Sequence, residues 1–291
     1  MATTERQRDT GIYPALPFDE YKAIRAVNSG AVNVGWSKTL THMAEHMRSP
    51  SDDTSDAMEL GAAAHCALLE PGRFKDEYAR LQDCDRRTKA GREAWEAVIA
   101  EGRKPLHAED FDAVVGIVAG VMRNRCAAKV IGCPGLREAS MVWRDDETGV
   151  LCKGRIDLYA PGVVIGDVKT TRSAARREFS RTIAQRGYHR QAAMYVDGYA
   201  KLAGEALDLT LIVVENEAPY CCAVYHLDEQ AIELGRREYR DVLRRFKASA
   251  GAGTLYDGYG HELTAIGVPE WAVRSSIVAD AIDPSEDLNN W

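Results

Sequence analysis

Gly154-Arg155-Ile156-Asp157 and, beyond a Pro161-Gly162 turn, Gly166-Asp167-Val168-Lys169 read as two short strands. The first spans Leu151 to Tyr159 and the second Val163 to Lys169. Side chains two apart in a strand point the same way, so Asp167 and Lys169 share a face while Val164, Ile165 and Val168 supply apolar filling. Asp157 stands near the end of the first strand, and a tight hairpin brings its carboxylate beside Asp167. Two adjacent carboxylates repel, so such a pair implies a raised pKa or a bound divalent cation. Oxygen donors suit a hard ion, Mg2+ or alternatively Mn2+. A lysine two residues beyond the second acid can orient or deprotonate an attacking water and offset charge on a phosphate. The competing reading of the three residues alone is a solvated strand edge closed by a surface salt bridge.

The spacing Asp157-x9-Asp167-Val168-Lys169 resembles the catalytic signature of the PD-(D/E)xK nuclease superfamily. Three further segments resemble its RecB-like branch. Gly61 and His65 lie one turn apart on a small-residue helix, Met58 to Glu70, and match that branch's GxxxH element, in which the imidazole helps to ligate metal. Gln191 and Tyr195, one turn apart after Tyr188, match its QxxxY element. Glu138 lies one strand before Asp157. It reads either as a third metal carboxylate or as an exposed strand glutamate paired with an arginine. LEPGRF (69–74), DRRTKAGREAW (85–95), GVLCKGRIDLY (149–159), DVKTT (167–171) and YHRQAAMYVDGY (188–199) resemble the RecE-like, exodeoxyribonuclease VIII type of phage and prophage exonucleases.

The resemblance covers about residues 13 to 271. It implies an α/β fold with a restriction-endonuclease-like core, a central mixed sheet flanked by helices. It also implies Mg2+-dependent digestion of linear double-stranded DNA from 5′ ends, leaving 3′ single strands for a single-strand annealing protein, and a ring-like homo-oligomer. In that scheme Asp157 and Asp167 hold two ions together with the Val168 carbonyl, and His65 and Glu138 complete the sites. Lys169 acts on water, and Gln191 and Tyr195 position Lys169 or the phosphate. The second acid is Asp rather than Glu, a variant within the group. The four-cysteine pattern of some relatives is missing, so no iron–sulfur cluster is expected. The alternatives are a site-specific or structure-specific endonuclease of the same superfamily and a non-catalytic DNA-binding protein that keeps the fold.

Composition is consistent with this. The chain is 45% apolar and 28% charged, an ordinary globular balance. Its longest apolar run, Val114 to Met122, has nine residues and contains two glycines, too short to span a membrane. The polar start carries no signal-peptide core, and a cytoplasmic location is expected. Cysteines 66, 84, 126, 133, 152, 221 and 222 form no CxxC pair and read as reduced thiols. A net charge of −7 disfavours a general polyanion binder, so DNA contact depends on local clusters. Two are candidates: Arg86, Arg87, Lys89 and Arg92 before a helix, and Arg172, Arg176, Arg177 and Arg181 on a helix leaving the catalytic strand. Each also reads as a solvated face.

The remaining expectations concern organisation. Residues 1–12 read as a flexible N-terminus, 13–271 as one exonuclease domain, and 272–291 as an acidic tail. Asp19 to Val27 reads as a helix, Asn28 to Gly35 as a loop, and Trp36 to Met47 as a helix capped by Ser37. Ser51 to Asp56 reads as an exposed connection and Phe74 to Gln82 as extended. Ala108 to Cys126 has helical period. Strands 137–144, 150–159 and 163–169 form a meander, Thr170-Thr171 starts a helix, strands follow at 209–215 and 220–227, and Asp228 caps a helix to Lys247.

Overall fold

The computed structural model describes residues 9–48, 56–82, 85–251, 258–260 and 262–270. In chain order the elements are β1 (Gly11–Tyr13), α1 (Phe18–Ala23), α2 (Ser29–Ser37), α3 (Leu40–Arg48), α4 (Asp56–Leu69), α5 (Pro71–Glu77), β2 (Tyr78–Leu81), α6 (Lys89–Ala100), β3 (Lys104–His107), α7 (Ala108–Arg123) and α8 (Arg125–Ile131). They continue with β4 (Leu136–Arg144), β5 (Leu151–Ala160), β6 (Val164–Thr171), α9 (Arg176–Arg186), α10 (Tyr188–Ala203), β7 (Leu209–Glu215), β8 (Cys222–His226) and α11 (Glu229–Gly251). One sheet runs β1-β4-β5-β6-β7-β8, and β2 and β3 form a small parallel sheet. All neighbours in the large sheet are antiparallel except β6 and β7. Helices α9 and α10 make that parallel crossover. This is the expected mixed sheet flanked by helices, and β4-β5-β6 is the expected meander.

The alternation of β6 and β7 decides which helices cover which face. Ile165, Leu211 and Val213 pack with Val32 and Leu40 of the α2–α3 pair, Ala193 and Tyr199 of α10, and Leu243 of α11. Val168, Ile212 and Val214 point the other way, onto Ala64 and Leu68 of α4, Ile117 and Val121 of α7, and Ala127 of α8. Burying an aliphatic side chain of this size stabilises by roughly 1.5–3 kcal/mol. With Leu211 to Val214 all buried, β7 anchors both layers. Phe74, Tyr78, Leu106 and Val114 form a smaller core that fixes the two-stranded sheet beside α4.

Several local expectations are corrected. Ser29 to Gly35 is helix, because the Asn28 side chain accepts the Ala31 N–H at 2.8 Å and caps α2. The next helix starts at Leu40 rather than Trp36, with Thr39 Oγ1, not Ser37, accepting the His42 N–H. Pro71 opens α5 instead of only closing α4, as suits proline in a first helical turn, so only Tyr78 to Leu81 of the 74–82 stretch is strand. Asn124 ends α7 and caps α8 by accepting from Cys126 and Ala127. Parallel pairing carries β6 through Thr171↔Glu215, which delays α9 to Arg176 and leaves Arg172 outside it. Asp228 caps α11 as expected, accepting the Ala231 N–H.

At the N-terminus Gly11 pairs with Val142 and Ile12 with Met141. The chain divides into two units at Asp257/Gly258. The first unit holds every element named above. Residues 1–8, 51–55 and 272–291 lie outside the described residues. Among the described residues no helix is long and apolar enough to cross a membrane.

Helix α11 reaches α10 closely because Gly235 has no side chain. A Cβ there would stand 2.2 Å from the His189 carbonyl oxygen. Gly235→Ala is expected to destabilise the fold by about 1–3 kcal/mol, the cost of overpacking a rigid backbone contact. Urea unfolding measures it, and an unchanged midpoint would contradict this packing.

Candidate active site

Strands β5 and β6 pair from Ala160↔Val164 to Leu158↔Gly166 and then part. The next residues on the two strands are Asp157 and Asp167. At the fork the Asp157 carboxylate replaces the missing ladder: its Oδ2 accepts the Val168 N–H at 2.7 Å. On the other side, Glu138 has a left-handed backbone, φ 53°, and the β4–β5 ladder skips from Arg137↔Leu158 to Ala139↔Ile156. A non-glycine residue held there is strained, and such strain persists where the surroundings fix it.

Helix α4 supplies His65. Gly61, one turn earlier, lets the helix approach β6, since a Cβ on it would lie 3.3 Å from Thr170 Oγ1. His65 Nδ1 stands 3.4 Å from Asp157 Oδ2. Ligand atoms of His65, Glu138 and Asp157 all lie within 4.8 Å of one another. Asp167 Oδ1 accepts from Gln191 Nε2 at 3.1 Å, and Lys169 Nζ is 2.6 Å from Asp167 Oδ2. That ion pair is the contact that satisfies the buried Asp167 Oδ2. Tyr195 packs on β5 where Gly154 has no side chain; a Cβ there would sit 2.7 Å from its ring. These groups line one cavity of about 500 Å3.

Electrostatics follow from burial. Burial lifts the Asp157 carboxyl to about 7, with Asp167 and Glu138 adding to the rise while His65 and Lys169 oppose it. Burial acts against the Lys169 ammonium, yet Asp167 and Asp157 together outweigh it and hold its pKa above the ordinary value. Burial raises the Tyr195 phenol, opposed by a hydrogen bond with Gln191. A cation fits here on the donor set itself. Two carboxylates and an imidazole converge, and a third carboxylate, Asp167, lines the same cavity. Mixed oxygen and imidazole donors admit Mn2+ as well as Mg2+.

The sequence-derived residues divide into two sets. His65, Glu138, Asp157, Asp167, Lys169, Gln191 and Tyr195 share the cavity; Val168 is not among the residues lining it, its side chain lying in the opposite core and its N–H being held by Asp157. Gln191 holds Asp167 rather than Lys169. None of the eight basic residues expected at DNA is among those lining it. Arg86 lies over the Trp95 ring at 4.6 Å, Arg87 pairs with Asp85, Lys89 with Glu93, and Arg92 donates to the Arg86 and Arg87 carbonyls. Arg172, Arg176, Arg177 and Arg181 are exposed, Arg181 pairing with Glu178.

Besides Lys169, the cavity is lined by the cations Arg73, Lys104 and Arg155, which sequence reasoning passed over. Arg155 holds Glu138 Oε2 at 2.7 Å and also donates to Ser140 Oγ and the Leu16 carbonyl. Glu138 is therefore paired with an arginine while it lines the cavity. The signal for Arg155 was present: it lies two residues before Asp157 and so on the same strand face.

A family model described as "PDDEXK-like domain of unknown function (DUF3799)" matches residues 35–252. The crystal structure of a Eubacterium rectale protein named "Putative exonuclease" is similar in fold, with TM-score 0.59 and 14% identity over 94% of this chain and 98% of that one. An alkaline exonuclease from Laribacter hongkongensis overlaps loosely, with TM-score 0.30 and 10% identity over 75% of this chain and 93% of that one. No curated protein matches the sequence.

The raised Asp157 carboxyl makes the metal-free protein pH-sensitive. The folded state holds a proton that the unfolded chain releases above its ordinary 3.8, so stability present below that value is lost as pH rises to about 7. Melting temperature measured in EDTA is expected to fall across that window in the native protein. In Asp157→Asn, which keeps an acceptor for Val168, the slope should flatten; an equal slope in both would contradict the assignment.

Proposed function

Because the chain belongs to this PDDEXK-like family, within the PD-(D/E)xK nuclease superfamily, we propose that it is a metal-dependent DNA nuclease that digests from ends. The observation that carries this reading is convergence: His65, Glu138 and Asp157 within 4.8 Å, with the Lys169–Asp167 ion pair lining the same cavity. His65, Glu138 and Asp157 would hold the cation, with Asp167 Oδ2 beside them. A divalent ion there would polarise a phosphoryl oxygen and offset charge on the departing one.

The chain's own residues do the rest. Gln191 fixes the Asp167 carboxylate, which in turn fixes Lys169. The ammonium stays charged through the neutral range, so it orients the attacking water and stabilises phosphate charge rather than acting as a neutral base. Arg155 holds Glu138 in its strained conformation. Arg172, Arg176 and Arg177, exposed after β6, would meet the duplex backbone outside the cavity. The finer reading rests on motif resemblance: Mg2+-dependent degradation of linear duplex from 5′ ends, 3′ strands for an annealing protein, and a ring-like homo-oligomer.

Incubation with Mg2+ and either linear or closed circular DNA tests this. Linear DNA should be consumed, circles spared, and EDTA should stop the reaction. Asp167→Ala and Lys169→Ala should each lower the rate at least about a hundredfold while circular dichroism stays native. Discrete cuts in circles would establish an endonuclease instead, and binding without hydrolysis would refute the enzymatic reading.

A further inference from the structure

A second cavity, of about 570 Å3, is lined by residues of α1, the α1–α2 connection, α3, β5 and α11. Its described lining includes Lys22, Arg25, His46, Arg48 and Lys153, and no carboxylate. In a chain with 44 acidic and 37 basic residues, that segregation makes the cavity a focus of positive potential. Ile24, Met47 and Phe246 give it an apolar part.

Lys153 is the fixed charge of this cavity. It is only 6% exposed, and its ammonium donates to the carbonyls of Tyr21, Lys22 and Ile24 at 2.9, 3.1 and 2.8 Å. Burial alone pushes it down to about 8, with no neighbouring carboxylate to offset that cost, so an anion in the cavity would stabilise the charged form. Lys22 and Arg48 pair with Asp19 and Glu45 at 3.1 and 3.0 Å, but these are exposed pairs one helical turn apart. Such pairs are worth well under about 1 kcal/mol, so both cations can turn to a ligand.

The cavity is also aligned with the catalytic one. Lys153, Arg155 and Asp157 follow one another on the same face of β5, and the Tyr21 ring lies 4.7 Å from the first cation and 6.0 Å from the second. From Lys153 to Asp157 the strand spans about 13 Å, the length of roughly four stacked nucleotides. The volume is that of a small-molecule site, too small for a duplex, and Phe246 offers an aromatic surface for a base.

We propose that this cavity is a second phosphate-binding site that holds the backbone of single-stranded DNA continuous with the strand in the catalytic cavity. The identity of the ligand rests on the nuclease reading; the site itself does not. Anisotropy of a fluorescent oligothymidylate, measured in EDTA so that nothing is hydrolysed, separates the two. Lys22→Gln/Arg25→Gln/Arg48→Gln should weaken binding at least about tenfold at low salt. It should also make the plot of log affinity against log salt shallower by about 2, at ~0.7 for each phosphate no longer neutralised. Arg48→Gln alone, at a side chain 67% exposed and therefore safe for folding, should reduce the slope by about 0.7. Unchanged affinity and slope in Arg48→Gln and in a folded triple variant would overturn the site. Displacement of the oligonucleotide by inorganic phosphate as effective as displacement by unlabelled oligothymidylate would overturn the strand assignment in favour of a small-anion site. Absence of Mg2+-dependent hydrolysis in the native protein would instead sink the nuclease reading and leave these measurements standing.

Discussion

At the fork of β5 and β6 a carboxylate does what a neighbouring strand would otherwise do. Asp157 accepts the Val168 N–H, so the ladder can open without leaving that buried donor unpaired. The same exchange places a carboxylate in low dielectric beside Asp167, which is why its proton is held so tightly. Everything nearby serves that local surplus of negative charge. Lys169 neutralises Asp167, His65 reaches over from α4, and Arg155 holds Glu138. Opening the sheet and concentrating charge are one structural event, and the space so made is the cavity of the candidate site.

Much of this was legible in the residues because it depends on local period. Two-residue alternation put Asp167 and Lys169 on one face, and helical spacing put Gly61 beside His65 and Gln191 beside Tyr195. The meander followed from three apolar strands with short turns. What escaped depended on caps and on tertiary contact. Asn28 turned an apparent loop into α2, and Pro71 began a helix where it looked like a stop. No local pattern shows that Tyr21 lies over Lys153 and Arg155, contacts across more than 130 residues of sequence.

The basic clusters teach a different lesson. Arg86, Arg87 and Arg92 are dense in sequence, and in the fold they lie beside Trp95, Asp85 and nearby carbonyls, outside the lining of the candidate site. Cations that do converge come from separate elements: Lys22 and Arg25 near α1, His46 and Arg48 on α3, Lys153 on β5. A run of charge in sequence is spread over a surface, whereas a concave site gathers single charges from distant segments. Net charge is silent on both.

The most direct test of the fork as a cation site is a crystal grown or soaked with Mn2+ and examined by anomalous scattering. A peak coordinated by His65, Glu138 and Asp157, with Asp167 beside it, is the predicted result. A well-ordered Mn2+ bound elsewhere, or density showing these side chains closed on one another with no ion at saturating concentration, would contradict it.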